Sequence, residues 1–251
     1  MKKTIVNADD FGLNKTVSRA IAEAFKNGLI TDTTIMANGE DFDGAVKLIE
    51  DYQLENNVGI HFNLTDNEPL TEDIKYCRSF CENGVFHHKN NRLKPLSRFE
   101  KQAVYEELTA QAKRVREAGL VISHADSHHH IHTAIFISPI VLRVCKETGI
   151  NKIRLHRNIG NIHTYKKVVK NLYNKSLRKK GFITTDYFGS LMDLAENTIP
   201  DNLEIMVHPD YDKNGVLIDR REFIDNMPAG VPLLNVAEKY GISLKCYGEL
   251  K

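Results

Sequence analysis

The stretch 3-KTIVNADDFGLNKTVSRAIAEAFKNGL-29 changes its hydrophobic period part-way along. Up to Asp9 its β-branched and small apolar residues read as a short strand, and two carboxylates close that run. From Leu13 the apolar positions recur every three or four residues. This predicts an amphipathic helix with Asn14 as N-cap and Gly28 near its C-cap. A strand feeding a helix is one unit of an α/β fold, so the architecture turns on whether the unit repeats.

The unit does repeat. DTTIMAN (32–38), NVGIHFNL (57–64), LVISHADS (120–127), NKIRLHR (151–157), GFITTDYFG (181–189) and NLEIMVHPDY (202–211) read as further strands. Between them lie helical periods over 41–51, 97–119 and 134–149, and over the basic run 166–180. Ser97 opens the longest with a capping box to Glu100, Gly119 ends it, and Pro139 sits in the first turn or two of the next. Downstream, REFIDNMP (221–228) and LLNVAEKYG (233–241) read as helical and SLKCYGEL (243–250) as a closing strand. The exception is 65–97, which has poor periodicity, scattered Asn and Pro, and HHKNN in its middle. It reads as an insertion or lid. Seven or eight strand–helix units in 251 residues predict one α/β domain over 1–251, an irregular (β/α) barrel of parallel strands.

Composition narrows the function classes. Hydrophobic residues are 41% and charged residues 27%, enough to fill a large core. With 34 Lys+Arg against 33 Asp+Glu, a net charge of +1 makes no electrostatic case for nucleic acid as a partner. The basic run 166–180 reads as a solvated helix face. Cys77, Cys81, Cys145 and Cys246 are scattered without a C-x-x-C pair, as expected for reduced packing cysteines. The N-terminus lacks the pattern of a signal peptide and no stretch has the length of a membrane span, so a cytoplasmic protein without a membrane partner is expected.

In a barrel of this kind the active site forms at the C-terminal strand ends. Asp9 and Asp10 fall at the end of strand one, His61 late in strand three, Asp126 and His128 at the end of strand four, Arg154 late in strand five and His208 late in strand seven. Read singly, each has a plain structural alternative. One of the two aspartates can cap the following turn, and a lone histidine in an apolar strand, such as His61 or His208, is commonly a hydrogen-bonded core residue. Ser123–His132, SHADSHHHIH, concentrates imidazole at a strand end, yet its spacing fits no zinc motif. In a regular strand His128, His130 and His132 would share one side. Together, one carboxylate from strand one with one imidazole each from strands three and four make an O/N/N ligand set with open positions, as a catalytic metal site has. Hard ions (Mg, Mn) and borderline ones (Zn, Co, Ni) both suit it.

The blocks VNADDFGLNKTVSRAI, TTIMANG, GIHFNLT, HADSHHHIH, IRLHRN and MVHPDY, in this order from residue 4 to about 212, resemble the YdjC-type carbohydrate deacetylases. That family includes chitooligosaccharide deacetylases and is related to the NodB-type enzymes. The resemblance implies a distorted TIM-like (β/α) barrel and metal-dependent hydrolysis of an N-acetyl group on an amino sugar or chitooligosaccharide. It implies Asp10, His61 and His128 as metal ligands, Asp9 as catalytic base, His208 as general acid and Arg154 beside the base. Magnesium is the expected ion, with zinc or cobalt as in the NodB-type relatives. An N-acetylated oligosaccharide is the implied partner, and Phe80 and Phe86 in the segment 65–97 are candidates to cover it. A metal-dependent hydrolase of another bond, such as a cyclic amide, is the alternative on the same site. A metal-storage role for the histidine tract would leave Asp9, His61 and His208 without purpose. The oligomeric state stays open, a homodimer included.

Overall fold

In the computed structural model, residues 2–88, 93–194 and 199–251 are described. The first half follows the sequence period closely: β1 (Lys3–Phe11), α1 (Lys15–Lys26), β2 (Asp32–Ile35), α2 (Phe42–Tyr52) and β3 (Val58–Phe62). Asn14 caps α1, its side chain accepting from the Val17 amide at 3.0 Å, and the helix buries Val17, Ala20, Ile21 and Ala24. The segment after β3 carries the small hairpin β4 (Cys81–Glu82) and β5 (Val85–Phe86). Then come α3 (Arg98–Glu117), with the Ser97/Glu100 capping box in place, β6 (Ala125–Ser127) and α4 (Ser138–Glu147). Next are α5 (Thr164–Lys179), β7 (Tyr187–Ser190), β8 (Leu203–Val207) and β9 (Pro209–Tyr211). The chain closes with β10 (Leu217–Ile224), β11 (Met227–Pro232), α6 (Val236–Tyr240) and β12 (Ser243–Leu244).

The main sheet runs β6-β3-β2-β1-β8-β7, every neighbour parallel, with β12 added against the start of β1. It curls into an α/β half-barrel. Two isolated parallel bridges, Ala125 to Ile153 and Lys152 to Ile183, carry the pairing beyond β6. The expected fifth strand is therefore only a pair of bridges, and LVISHADS pairs over Ala125–Ser127 alone, so the barrel is distorted on this side. Small residues let the layers approach. A Cβ on Gly59 in β3 would stand 2.6 Å from the His124 ring, so the close approach of that ring to β3 needs glycine there.

Three readings are corrected. REFIDNMP is not helical: β10 and β11 form an antiparallel hairpin, turned by Asp225 and Asn226 at φ 50° and 61°. Two successive left-handed residues make the tight turn that matches strand twist, and a helix cannot pass through them. A register shift between Arg220 and Glu222 kinks β10, as a bulge does. Second, Phe80 and Phe86 are 1% and 5% exposed, packed with Ile74, Cys77 and Cys81 rather than turned to a ligand. Within HHKNN, residues 89–91 lie outside the described residues. Third, the histidine tract is not a regular strand. His129 and His130 have φ 49° and 55°, so the chain winds tightly after Ser127 and the alternation of sides is lost. Among the described residues, no helix is long and apolar enough to cross a membrane.

Candidate metal and active site

β1 ends in an irregularity. Its register against β2 shifts between Ala8 and Phe11, and Asp10 sits at φ 73°, a left-handed conformation costly for a residue with a Cβ. Gly12, at φ 87°, turns the chain immediately after. Neighbouring carboxylates consequently take different surroundings, although both line one cavity of about 390 Å³ with His61, His128, His208 and Arg220.

Asp9 points into the barrel. Arg154 grips it with two bonds, 2.6 Å to Oδ2 and 2.7 Å to Oδ1, and Asn7 donates to Oδ1 at 2.9 Å. Burial alone would raise this carboxyl, but the Arg154 guanidinium overrides it and holds Asp9 well below the usual carboxylate range. Arg154, itself fully buried, also donates through Nε to Glu204 at 2.7 Å and through a terminal nitrogen to Asp126.

Asp10 points to the mouth. Its Oδ1 lies 3.1 Å from His61 Nε2 and 2.8 Å from His128 Nδ1, while Oδ2 accepts from Arg220 at 3.1 Å. Burial opposes ionisation, and the two imidazoles outweigh it, so Asp10 is also held well below its ordinary range. The other nitrogen of His61 faces Asp126 Oδ1 at 2.7 Å, with the Thr34 hydroxyl at 3.0 Å. Burial would lower His61, yet carboxylates at both nitrogens push it up to about 10.

Among the described residues two groups have metal-ligand spacing, Asp10/His61/His128 and Asp9/His61/Asp126, each with one donor atom per residue within 4.8 Å of the others. They share His61 but differ in chemistry. In the second, Arg154 already supplies the counter-charge to both carboxylates. In the first, the donors meet at the cavity, and the inner nitrogen of His61 is fixed by a carboxylate, the partner that orients metal-bound imidazoles. This O/N/N set fits a divalent cation. A cation there would displace the proton that His61 otherwise shares with Asp10.

His208 is half-buried at the cavity wall, its backbone amide donating to Asp219 Oδ1 at 2.9 Å and its Nδ1 4.0 Å from the same oxygen. The structure thus brings Asp9, Asp10, His61, His128, Arg154 and His208 to one place. His130 also lines the cavity, and burial, with Arg154 adding to it, lowers its pKa to about 3, so it is a neutral imidazole. His132 is buried instead, its Nδ1 2.6 Å from the Ser127 hydroxyl.

Sequence reasoning missed Arg220, which bridges Asp10 and Asp210 at 3.1 Å each from the mis-read hairpin. It also missed Asn7, Thr34, His124 and Glu204 inside the barrel. Glu204 left a signal, because a lone charge in the apolar run LEIMV must be paired if that strand is buried.

The chain belongs to the YdjC-like protein family, whose model matches residues 3–231. A carbohydrate deacetylase of Clostridium beijerinckii is 33% identical over 217 residues, covering 83% of this chain and 82% of the relative. One of Geobacillus stearothermophilus is 34% identical over 212 residues, covering 82% and 79%. Among solved structures, an Enterococcus faecalis V583 protein described by its name as acting in cellobiose-phosphate cleavage superposes with a TM-score of 0.69. That match covers 98% of this chain and 97% of the other at 24% identity, which supports the shared fold alone.

Proposed function

We propose that the protein is a metal-dependent carbohydrate N-deacetylase, hydrolysing the N-acetyl group of an amino sugar or chitooligosaccharide to acetate and a free amine. One observation carries the reading: three metal-type donors meet in a cavity beside a second carboxylate held apart from them by an arginine. The names of the relatives support a sugar as substrate.

Asp10, His61 and His128 would hold the ion. Magnesium is the family expectation, and two imidazoles also suit zinc or cobalt. When bound, a divalent cation lowers the pKa of water and polarises a carbonyl, several kcal/mol of assistance to amide hydrolysis. Asp9 takes the proton of the attacking water. Its carboxylate has about four acceptor positions. Arg154 and Asn7 fill both positions on Oδ1 and Arg154 one on Oδ2, which leaves one lone pair on Oδ2 for that proton. Arg154 keeps Asp9 ionised and aimed, at the expense of basicity. His208, on the cavity wall, delivers a proton to the departing amine.

Acetate release from N-acetylglucosamine, its dimer and its trimer, with magnesium, manganese, cobalt and zinc in turn, tests the reading. Acetate is expected with at least one ion and none after chelation. No acetate with any ion, or ring opening of a lactam instead, would overturn it.

A further inference from the structure

A chain of buried polar groups runs beneath Asp9 to the far end of the sequence. Tyr247 is completely buried, and its hydroxyl donates to Glu204 Oε2 at 2.5 Å. The other oxygen of Glu204 accepts from Arg154 Nε at 2.7 Å. Arg154 then presents both terminal nitrogens to Asp9. A return path closes the loop: Asn7, bonded to Asp9, lies 3.1 Å through its carbonyl oxygen from His124 Nε2, and the His124 ring stacks on Tyr247 at 3.6 Å. Tyr247 is tied down independently, its backbone amide donating to Asp32 Oδ1 at 3.0 Å.

None of Tyr247, Glu204 or His124 lines the cavity with the metal-type donors. Packing alone would not place a carboxylate and a phenol here, since an apolar pair of the same volume avoids the desolvation cost. What this arrangement adds is direction. A guanidinium has a rigid fork of donors, and fixing its Nε edge fixes where the opposite edge points.

We propose that Glu204 and Tyr247 are positioning residues for the reaction: Tyr247 orients Glu204, Glu204 holds the Nε edge of Arg154, and Arg154 thereby aims the free lone pair of Asp9 at the attacking water. The assignment rests on the reading of Asp9 as the base. It gives the C-terminal segment, which carries no motif, a task at the active site.

The test compares Tyr247→Phe, Glu204→Gln and Glu204→Leu. Phenylalanine keeps the stack on His124 and loses only the hydroxyl. Glutamine keeps an oxygen for Arg154 Nε, whereas leucine removes it. In Glu204→Leu, kcat is expected to fall roughly 10²-fold, the scale of a misplacement of about 1 Å, with KM and cation affinity unchanged. Tyr247→Phe falls less, and Glu204→Gln recovers most of the leucine loss. Equal activity in all three, or losses of cation affinity that track the losses of kcat, would overturn the proposal. Crystal structures of the wild type and Glu204→Leu read the coupling without any substrate. The leucine variant should lose the two-bond Arg154–Asp9 pair, and an undisturbed pair overturns the proposal whatever the reaction is. A wild-type protein that releases no acetate would instead sink the deacetylase reading.

Discussion

The interior of the barrel and its mouth are both polar, but they are held together in opposite ways. Inside, Arg154 is fully buried and meets three carboxylates, Asp9, Asp126 and Glu204, with every contact short and direct. At the mouth, His61 and His128 share one oxygen of Asp10, and Arg220 reaches the other oxygen from the β10–β11 hairpin. The interior is a closed network in which removing one member strands several charges. The mouth is a set of donors converging on open space, with protons where a cation can go. Adjacent residues of β1 serve both regions because the left-handed Asp10 turns its carboxylate away from that of Asp9.

The largest expected contrast is in ion binding. His128→Ala should weaken divalent-cation affinity at least ~100-fold by calorimetric titration, with little change in melting temperature, because the ring stands at the mouth. A variant that binds the ion as well as wild type would remove His128 from the ligand set. Next in size is stability. Arg154→Met leaves buried carboxylates without their cation and is expected to cost about 3–5 kcal/mol, a fall in melting temperature on the order of 10 °C. Arg220→Met should cost less, about 1–3 kcal/mol, because Asp10 keeps both imidazoles as partners when the guanidinium is lost. Equal losses in the two variants would erase the distinction between the regions.

The smallest effect depends on pH. Asp32 lies beneath the network, and burial pushes its carboxyl up to about 7. Between roughly pH 4, the unfolded value, and pH 7 the native state binds a proton that the unfolded chain has released, so stability falls as pH rises through that window. Asp32→Asn removes this dependence while keeping an oxygen for the Tyr247 amide. Denaturant titrations at pH 5 and pH 8 should show the variant gaining on wild type by ~1–3 kcal/mol at the higher pH. A constant difference would mean that Asp32 is ionised throughout.

The mouth was more legible in the sequence than the interior, for a physical reason. Strand–helix alternation placed Asp9, Asp10, His61 and His128 at strand ends, and the structure gathers those residues around one cavity. Periodicity sees one strand at a time. The pairings of Arg154 with Glu204, and of Glu204 with Tyr247, join segments 50 and 43 residues apart, and they appear only once the sheet has curled. The hairpin was missed because its turn is Asp225-Asn226, not the more common Asn-Gly or Asp-Gly, and its apolar residues do not alternate cleanly. Arg220 was lost with it.

Anomalous diffraction from crystals soaked with zinc or manganese tests the central claim most directly, because the two candidate donor groups share only His61. A single peak is expected within about 2.0–2.3 Å of a carboxylate oxygen of Asp10, Nε2 of His61 and a ring nitrogen of His128, with Asp9 still paired to Arg154. A peak between Asp9, His61 and Asp126, or none near His61, would contradict it.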